Sequence, residues 1–166
     1  MNDNEPLKRA SAAARRYLAY RPRSESEVRK RLTGRFPPEI IDSVINDLVE
    51  RGLAGDAEFA ELWADSRSRL NPRSASAIRR ELTSKGVSRD IAEHAVRDVD
   101  DGDAAYAAGT KYARRLIESD FHTFRSRLWG YLGRRGFSSS VSRATIDRLW
   151  DERQDGPGNS DSGDGR

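Results

Sequence analysis

Apolar residues return along this chain every three or four positions, and no stretch sustains the strict alternation of a half-buried strand. Leu7, Ala10, Ala14, Tyr17 and Leu18 form one helical face, opening behind Asn4 and Pro6 and stopping before Arg21-Pro22. Ser24-Glu25-Ser26-Glu27 opens a second helix. The Ser24 hydroxyl can accept from the amide three residues on while Glu27 reaches back, and Val28 with Leu32 makes a short apolar edge. Pro37-Pro38 starts a third helix, with Ile41, Val44, Ile45, Leu48 and Val49 on one face, and Gly52 supplies the left-handed residue that ends it.

The same order then recurs. Asp56 is the expected cap of a helix carrying Phe59, Ala60, Trp63 and Leu70, stopped by Asn71-Pro72. Ser74 caps an edge of Ile78 and Leu82 that ends at Gly86, and Ser88 caps Ile91, Ala95 and Val99, closing at Gly102. Asp103 is the expected cap for Tyr106, Ala107, Ala113, Leu116 and Ile117; Leu128, Leu132 and Gly136 follow, then Val141, Thr145 and Leu149. At an offset near fifty residues Ser24 matches Ser74, Ser26 matches Ser76, and Arg29 matches Arg79. Leu32 matches Leu82 and Leu132, and Lys85-Gly86 matches Arg135-Gly136.

The expected fold is therefore all-α: three tandem three-helix repeats, residues 1–54, 55–102 and 103–152, forming an elongated array with scope to curve. Residues 153–166 are too polar to bury anything and are expected to form a disordered tail. Gly130 and Gly133 fall inside a helix, where each costs about 1 kcal/mol relative to alanine. Either they let a neighbouring helix approach closely, or that helix is weak and held by its neighbours.

Composition narrows the chemistry. Charged residues make up 34% and hydrophobic ones 36%, which suits narrow apolar stripes on thin helical layers. Cysteine is absent, so disulfides, thiolate nucleophiles and sulfur-ligated metals are excluded. No apolar run approaches a membrane span and no hydrophobic signal core follows Met1, so a cytoplasmic protein is expected. The net charge of +3 hides alternating blocks: residues 8–35 carry ten Lys/Arg against Glu25 and Glu27, whereas 36–65 carry eight acids against Arg51. Residues 66–97 are again basic, 98–110 acidic and 111–148 basic.

Catalysis finds little support. His94 and His122 are the only imidazoles, and neither falls in a metal-ligand spacing; the structural or surface reading is favoured for both. There is no Gly-rich phosphate loop with its Lys-Ser or Lys-Thr, and no Gly-x-Ser-x-Gly. Asp98, Asp100, Asp101 and Asp103 lack the ordered spacing of a calcium loop and read as a solvated turn. No catalytic residue, metal ligand or cofactor is assigned, and an enzyme is the least supported class.

Basic residues, by contrast, recur at one place in the repeat, the second helix and its exit. Arg29, Lys30 and Arg31, then Arg79, Arg80 and Lys85, then Arg134 and Arg135 would lie along one side of the array if the repeats stack alike, beside Arg67, Arg69 and Arg73. Such a stripe would track a polyanion; the alternative is an ordinary solvated helix face. Tyr17, Tyr20 and Trp63 occupy apolar helix positions and read as core, not as platforms for bases.

In order and spacing, these motifs resemble the RecX family, small regulators of the RecA recombinase. The resemblance is carried by Arg23-Ser24-Glu25-Ser26-Glu27-Val28 with Leu32, and by Leu48-Val49-Glu50-Arg51-Gly52-Leu53-Ala54-Gly55-Asp56 followed by Phe59-Ala60. Ile78-Arg79-Arg80-Glu81-Leu82-Thr83-Ser84-Lys85-Gly86-Val87 and Arg134-Arg135-Gly136-Phe137 complete it. It implies a monomer that lodges in the groove of the RecA filament on single-stranded DNA and restrains filament growth, ATP hydrolysis, strand exchange and the SOS response. The expected partners are the RecA filament and single-stranded DNA directly, with no membrane and no small-molecule substrate. The competing reading is a helical protein that acts on nucleic acid by itself. One departure stands out: Arg35-Phe36-Pro37-Pro38 occupies the place where family members carry a basic residue and glycine, which puts the first repeat's geometry in question.

Overall fold

The computed structural model of the protein describes residues 4–155, and helices account for all of its regular structure. They are α1 (Asn4–Leu18), α2 (Glu25–Leu32), α3 (Pro38–Glu50), α4 (Asp56–Leu70), α5 (Ala75–Ser84), α6 (Arg89–Ala95), α7 (Asp101–Ala113), α8 (Phe121–Arg134) and α9 (Ser139–Gln154). Arg153 and Gln154 belong to α9, two residues beyond the expected repeat boundary, and the rest of the expected tail, from 156 onward, lies outside the described residues. The chain divides into two compact units. Of the described residues, one comprises 4–66 with 78–98 and the other 67–77 with 99–155.

In the first unit α1, α2 and α3 enclose Ala10, Ala13, Ala14, Val28, Leu32, Ile41, Val44, Ile45 and Leu48. Eight residues of α2 present only Val28 and Leu32 to this core, so α3 supplies most of its volume and the α1 alanines let the helices close. Enclosing Leu32 completely stabilises the repeat by roughly 1.5–3 kcal/mol. Ser24 caps α2 with the full reciprocal box: its side chain accepts from the Glu27 amide, and the Glu27 carboxylate accepts from the Ser24 amide. Two apolar expectations fail at the surface. Val49 lies on the solvent side of α3, and Tyr20, past the end of α1, is 86% exposed.

The first repeat leaves its second helix by a turn different from that of the other two. After α5 the Val87 amide donates back to Leu82 O, with Gly86 at φ 84°; after α8 Phe137 donates to Leu132 O, with Gly136 at φ 87°. After α2 it is Phe36 that donates to Leu32 O, and Gly34 takes the positive φ, 79°, in a turn one residue shorter.

In the second unit α7, α8 and α9 pack around Ala105, Ala108, Phe124, Leu128, Leu132, Phe137, Ile146 and Leu149. Gly109 is the tight point: a Cβ there would stand 2.8 Å from Leu149 Cδ1 and 3.2 Å from Thr145 Cγ2. Gly130 and Gly133 are not close-approach glycines, since a Cβ on Gly133 meets nothing and one on Gly130 meets only the Arg134 guanidinium. The expected cap Asp103 is replaced by Asp100, whose carboxylate accepts from the Asp103 amide at 2.9 Å. Gly102 therefore sits in the first turn of α7 and does not terminate α6, while Leu116 and Ile117 lie beyond the end of α7. At its own start α8 begins about a turn earlier than α2 and α5. Buried Phe124 stands fifty residues on from Ser74, where the repeat calls for a capping serine, and packs on Trp150 at 5.2 Å.

Candidate interaction surface

Two joints built from the same parts decide which charges are left for a partner. In the first unit the buried Ser24 hydroxyl donates to Lys85 O at 2.6 Å, tying the start of α2 to the exit of α5. Beside it Asp56, expected to cap α4, instead accepts from the Glu25 amide of α2 at 2.9 Å, while Glu25 accepts from the Asp56 amide at 3.3 Å. Two helix N-termini thus exchange carboxylates, each satisfying amides that have no partner within their own helix. In the second unit the Ser74 amide donates to Arg135 O at 3.1 Å and the Ala75 amide donates to Asp101 Oδ1 at 2.7 Å. The Arg135 guanidinium donates to Asn71 Oδ1 and to Pro72 O.

The eleven basic residues expected to form the stripe divide by environment. Lys85 is mostly buried, 3.7 Å from Glu27 and 4.4 Å over the Trp63 ring, whose indole N–H donates to Glu81; Arg135 is held in the second joint and lies over Tyr131. Both work chiefly inside the fold. Arg29 pairs with Asp42 at 2.6 Å and Arg79 with Glu93 at 3.5 Å, exposed pairs of the kind worth roughly 0–1 kcal/mol. Arg67, Arg69 and Arg73 engage neighbouring groups within the protein. Lys30, Arg31, Arg80 and Arg134 are exposed and none has a carboxylate partner among the described residues; Arg31 leans toward the Tyr17 ring at 5.9 Å. Trp63 is half-buried and bonded through its N–H, whereas Tyr20 is free of the core to which it was assigned.

Glu27 is the electrostatic centre of the first joint. Burial opposes its ionisation most strongly, yet the Ser24 amide and the Lys85 and Arg21 charges together hold its carboxyl below the usual value. Sequence reading took Glu27 only as half of a capping box, and it missed the second task of Asp56 and Asp101, because those partners are tens of residues away. It also passed over Lys111 and Arg115, which lie outside the second helices. His94 lies in α6 with Nδ1 2.7 Å from the Arg97 guanidinium, and His122 lies in the first turn of α8. Among the described residues no group of three His, Asp or Glu side chains is placed to hold a metal ion, and no helix is long and apolar enough to cross a membrane.

Three-helix repeats whose second helices are basic and are tied to the next repeat by serine and aspartate define a class: a tandem helical-repeat protein with a charged outer surface. Family models described as the first, second and third three-helix domains of RecX match residues 10–48, 56–96 and 99–146 in that order. The chain belongs to the RecX family. It is 33% identical over 144 residues to the regulatory protein RecX of Chlorobium phaeobacteroides, covering 86% of this chain and 95% of that one. Against the RecX of Prosthecochloris aestuarii it is 34% identical over 150 residues, covering 90% and 98%. The crystal structure of RecX from Lactobacillus salivarius shares the fold at a TM-score of 0.73 and 23% identity, over 87% of this chain and 97% of that one. It is thus a RecX-family regulatory protein.

Proposed function

We propose that this protein regulates the RecA recombinase by binding its filament on single-stranded DNA and restraining ATP hydrolysis and strand exchange, without catalytic chemistry of its own. The support is a separation of charges: Lys85 and Arg135 are engaged in the joints, whereas Lys30, Arg31, Arg80 and Arg134 remain exposed without carboxylate partners among the described residues. Exposed cations with no carboxylate partner are available to a partially anionic surface such as a nucleoprotein filament.

The test is DNA-dependent ATP hydrolysis by RecA with increasing amounts of this protein at two salt concentrations. Inhibition well below one protein per RecA is expected. Replacing Lys30 and Arg80 with glutamate should raise the half-inhibitory concentration about tenfold, a loss of ~1.4 kcal/mol, with helical content unchanged. No inhibition at any ratio, together with tight salt-sensitive binding to bare DNA, would refute filament regulation and favour direct action on nucleic acid.

A further inference from the structure

The second unit holds a cavity of about 220 Å³ whose lining includes Leu70, Lys111, Tyr112, Arg115, Tyr131 and Arg135. Three cations and two phenol rings line it, and no carboxylate does. Tyr112 and Tyr131 stack with centroids 4.1 Å apart and planes 13° from parallel. Arg135 lies 4.5 Å over Tyr131 and is already oriented by Asn71 and Pro72 through one of its nitrogens, Nη1. The guanidinium has five N–H donors, so several remain for a ligand.

Lys111 stands in the last turn of α7 and Arg115 just past its end, and neither meets a carboxylate among the described residues. Lys111 alone would complement the last carbonyls of α7, which ends at Ala113; Arg115 lies past that end and its charge is not needed there. Beside them Leu70, 76% exposed, presents an apolar side chain at the rim. The cavity is too small for a helix, which is about 10–12 Å across. It suits a small anion joined to a flat apolar group.

We propose that this cavity binds the phosphate of a nucleotide, with Lys111, Arg115 and the spare donors of Arg135 as the anion contacts and Leu70 and Tyr112 beside the sugar or base. The phosphate can come from a single strand or from a free nucleotide. This site goes beyond the filament reading, and its test uses no recombinase, so either can fail alone.

The experiment is fluorescence anisotropy of a 5′-fluorescein-labelled oligothymidylate of about a dozen nucleotides titrated with the full chain. Lys111→Glu with Arg115→Glu should weaken binding at least tenfold and reduce the log–log salt slope by about 1.4, at roughly 0.7 per single-strand phosphate contact. Lys111→Gln with Arg115→Gln should show the same slope change with a smaller loss of affinity. Arg127→Glu with Arg143→Glu, the same charge change elsewhere in the second unit, should stay within about twofold of the parent if the contact is local. Displacement by thymidine monophosphate or ATP identifies a free nucleotide as able to fill the site, and resistance to both with retained oligonucleotide binding identifies the strand. The proposal is overturned if neither the oligonucleotide nor the nucleotides bind, or if the two glutamate doubles weaken binding equally.

Discussion

Gly86 carries two separable demands, and substituting alanine measures both. At φ 84° an L side chain costs about 1–2 kcal/mol, and a Cβ there would fall closer than 3.0 Å to the Ser26 Cβ, an atom fixed to the backbone of α2. Relieving such overlap costs about 1–3 kcal/mol. Alanine also restricts the unfolded chain, which returns about 0.4–1 kcal/mol. Gly34 is the internal control, because it has nearly the same φ, 79°, and nothing within 4 Å of its would-be Cβ. The net expectation is a loss of about 1 kcal/mol for Gly34→Ala and about 2–4 kcal/mol for Gly86→Ala, read from urea unfolding followed by far-UV circular dichroism. Adding Ser26→Gly should recover part of the Gly86→Ala loss and none of the Gly34→Ala loss. Equal losses for the two glycines would refute the close approach of α2 to the exit of α5.

Three further outcomes follow from the packing and the charges. Gly133→Ala should raise stability by about 0.5–1 kcal/mol, since the helix gains and nothing is struck, whereas Gly109→Ala should lower it against Leu149 and Thr145; calorimetric melting temperatures of the pair should move in opposite directions. Asp101→Ala should cost about 0.5–2 kcal/mol in urea unfolding by freeing the Ala75 amide, as loss of a helix cap does. Because the Glu27 carboxyl is depressed in the folded protein, its contribution is present above the ordinary carboxyl range and is lost as pH falls through the folded value. Glu27→Gln should accordingly flatten the fall of the urea midpoint between about pH 5 and 3, and an unchanged acid slope would rule out that linkage.

The helices and their order were legible because each is a local event. Capping serines at Ser24, Ser74 and Ser88 and terminating glycines at Gly52, Gly86 and Gly136 act within a few residues of themselves. The same locality explains the errors. Asp56 reads as a cap for the helix it begins, yet its carboxylate serves α2, thirty-one residues earlier in the chain. Arg35-Phe36-Pro37-Pro38 lacks the glycine that ends the other second helices, yet Gly34, two positions earlier in the repeat than Gly86, supplies the positive φ and Phe36 closes a shorter turn on Leu32.

By itself, then, the sequence determined an all-helical chain of three repeats with basic second helices, since periodicity, caps and charge are properties of neighbouring residues. Tertiary structure alone decided how each charge is used. Lys85 and Arg80 lie five residues apart and look equivalent in the chain, but packing turns Lys85 onto Trp63 and Glu27 and leaves Arg80 in water. Burial and pairing depend on which distant residues arrive at the same place, and that is settled only when the helices close on one another.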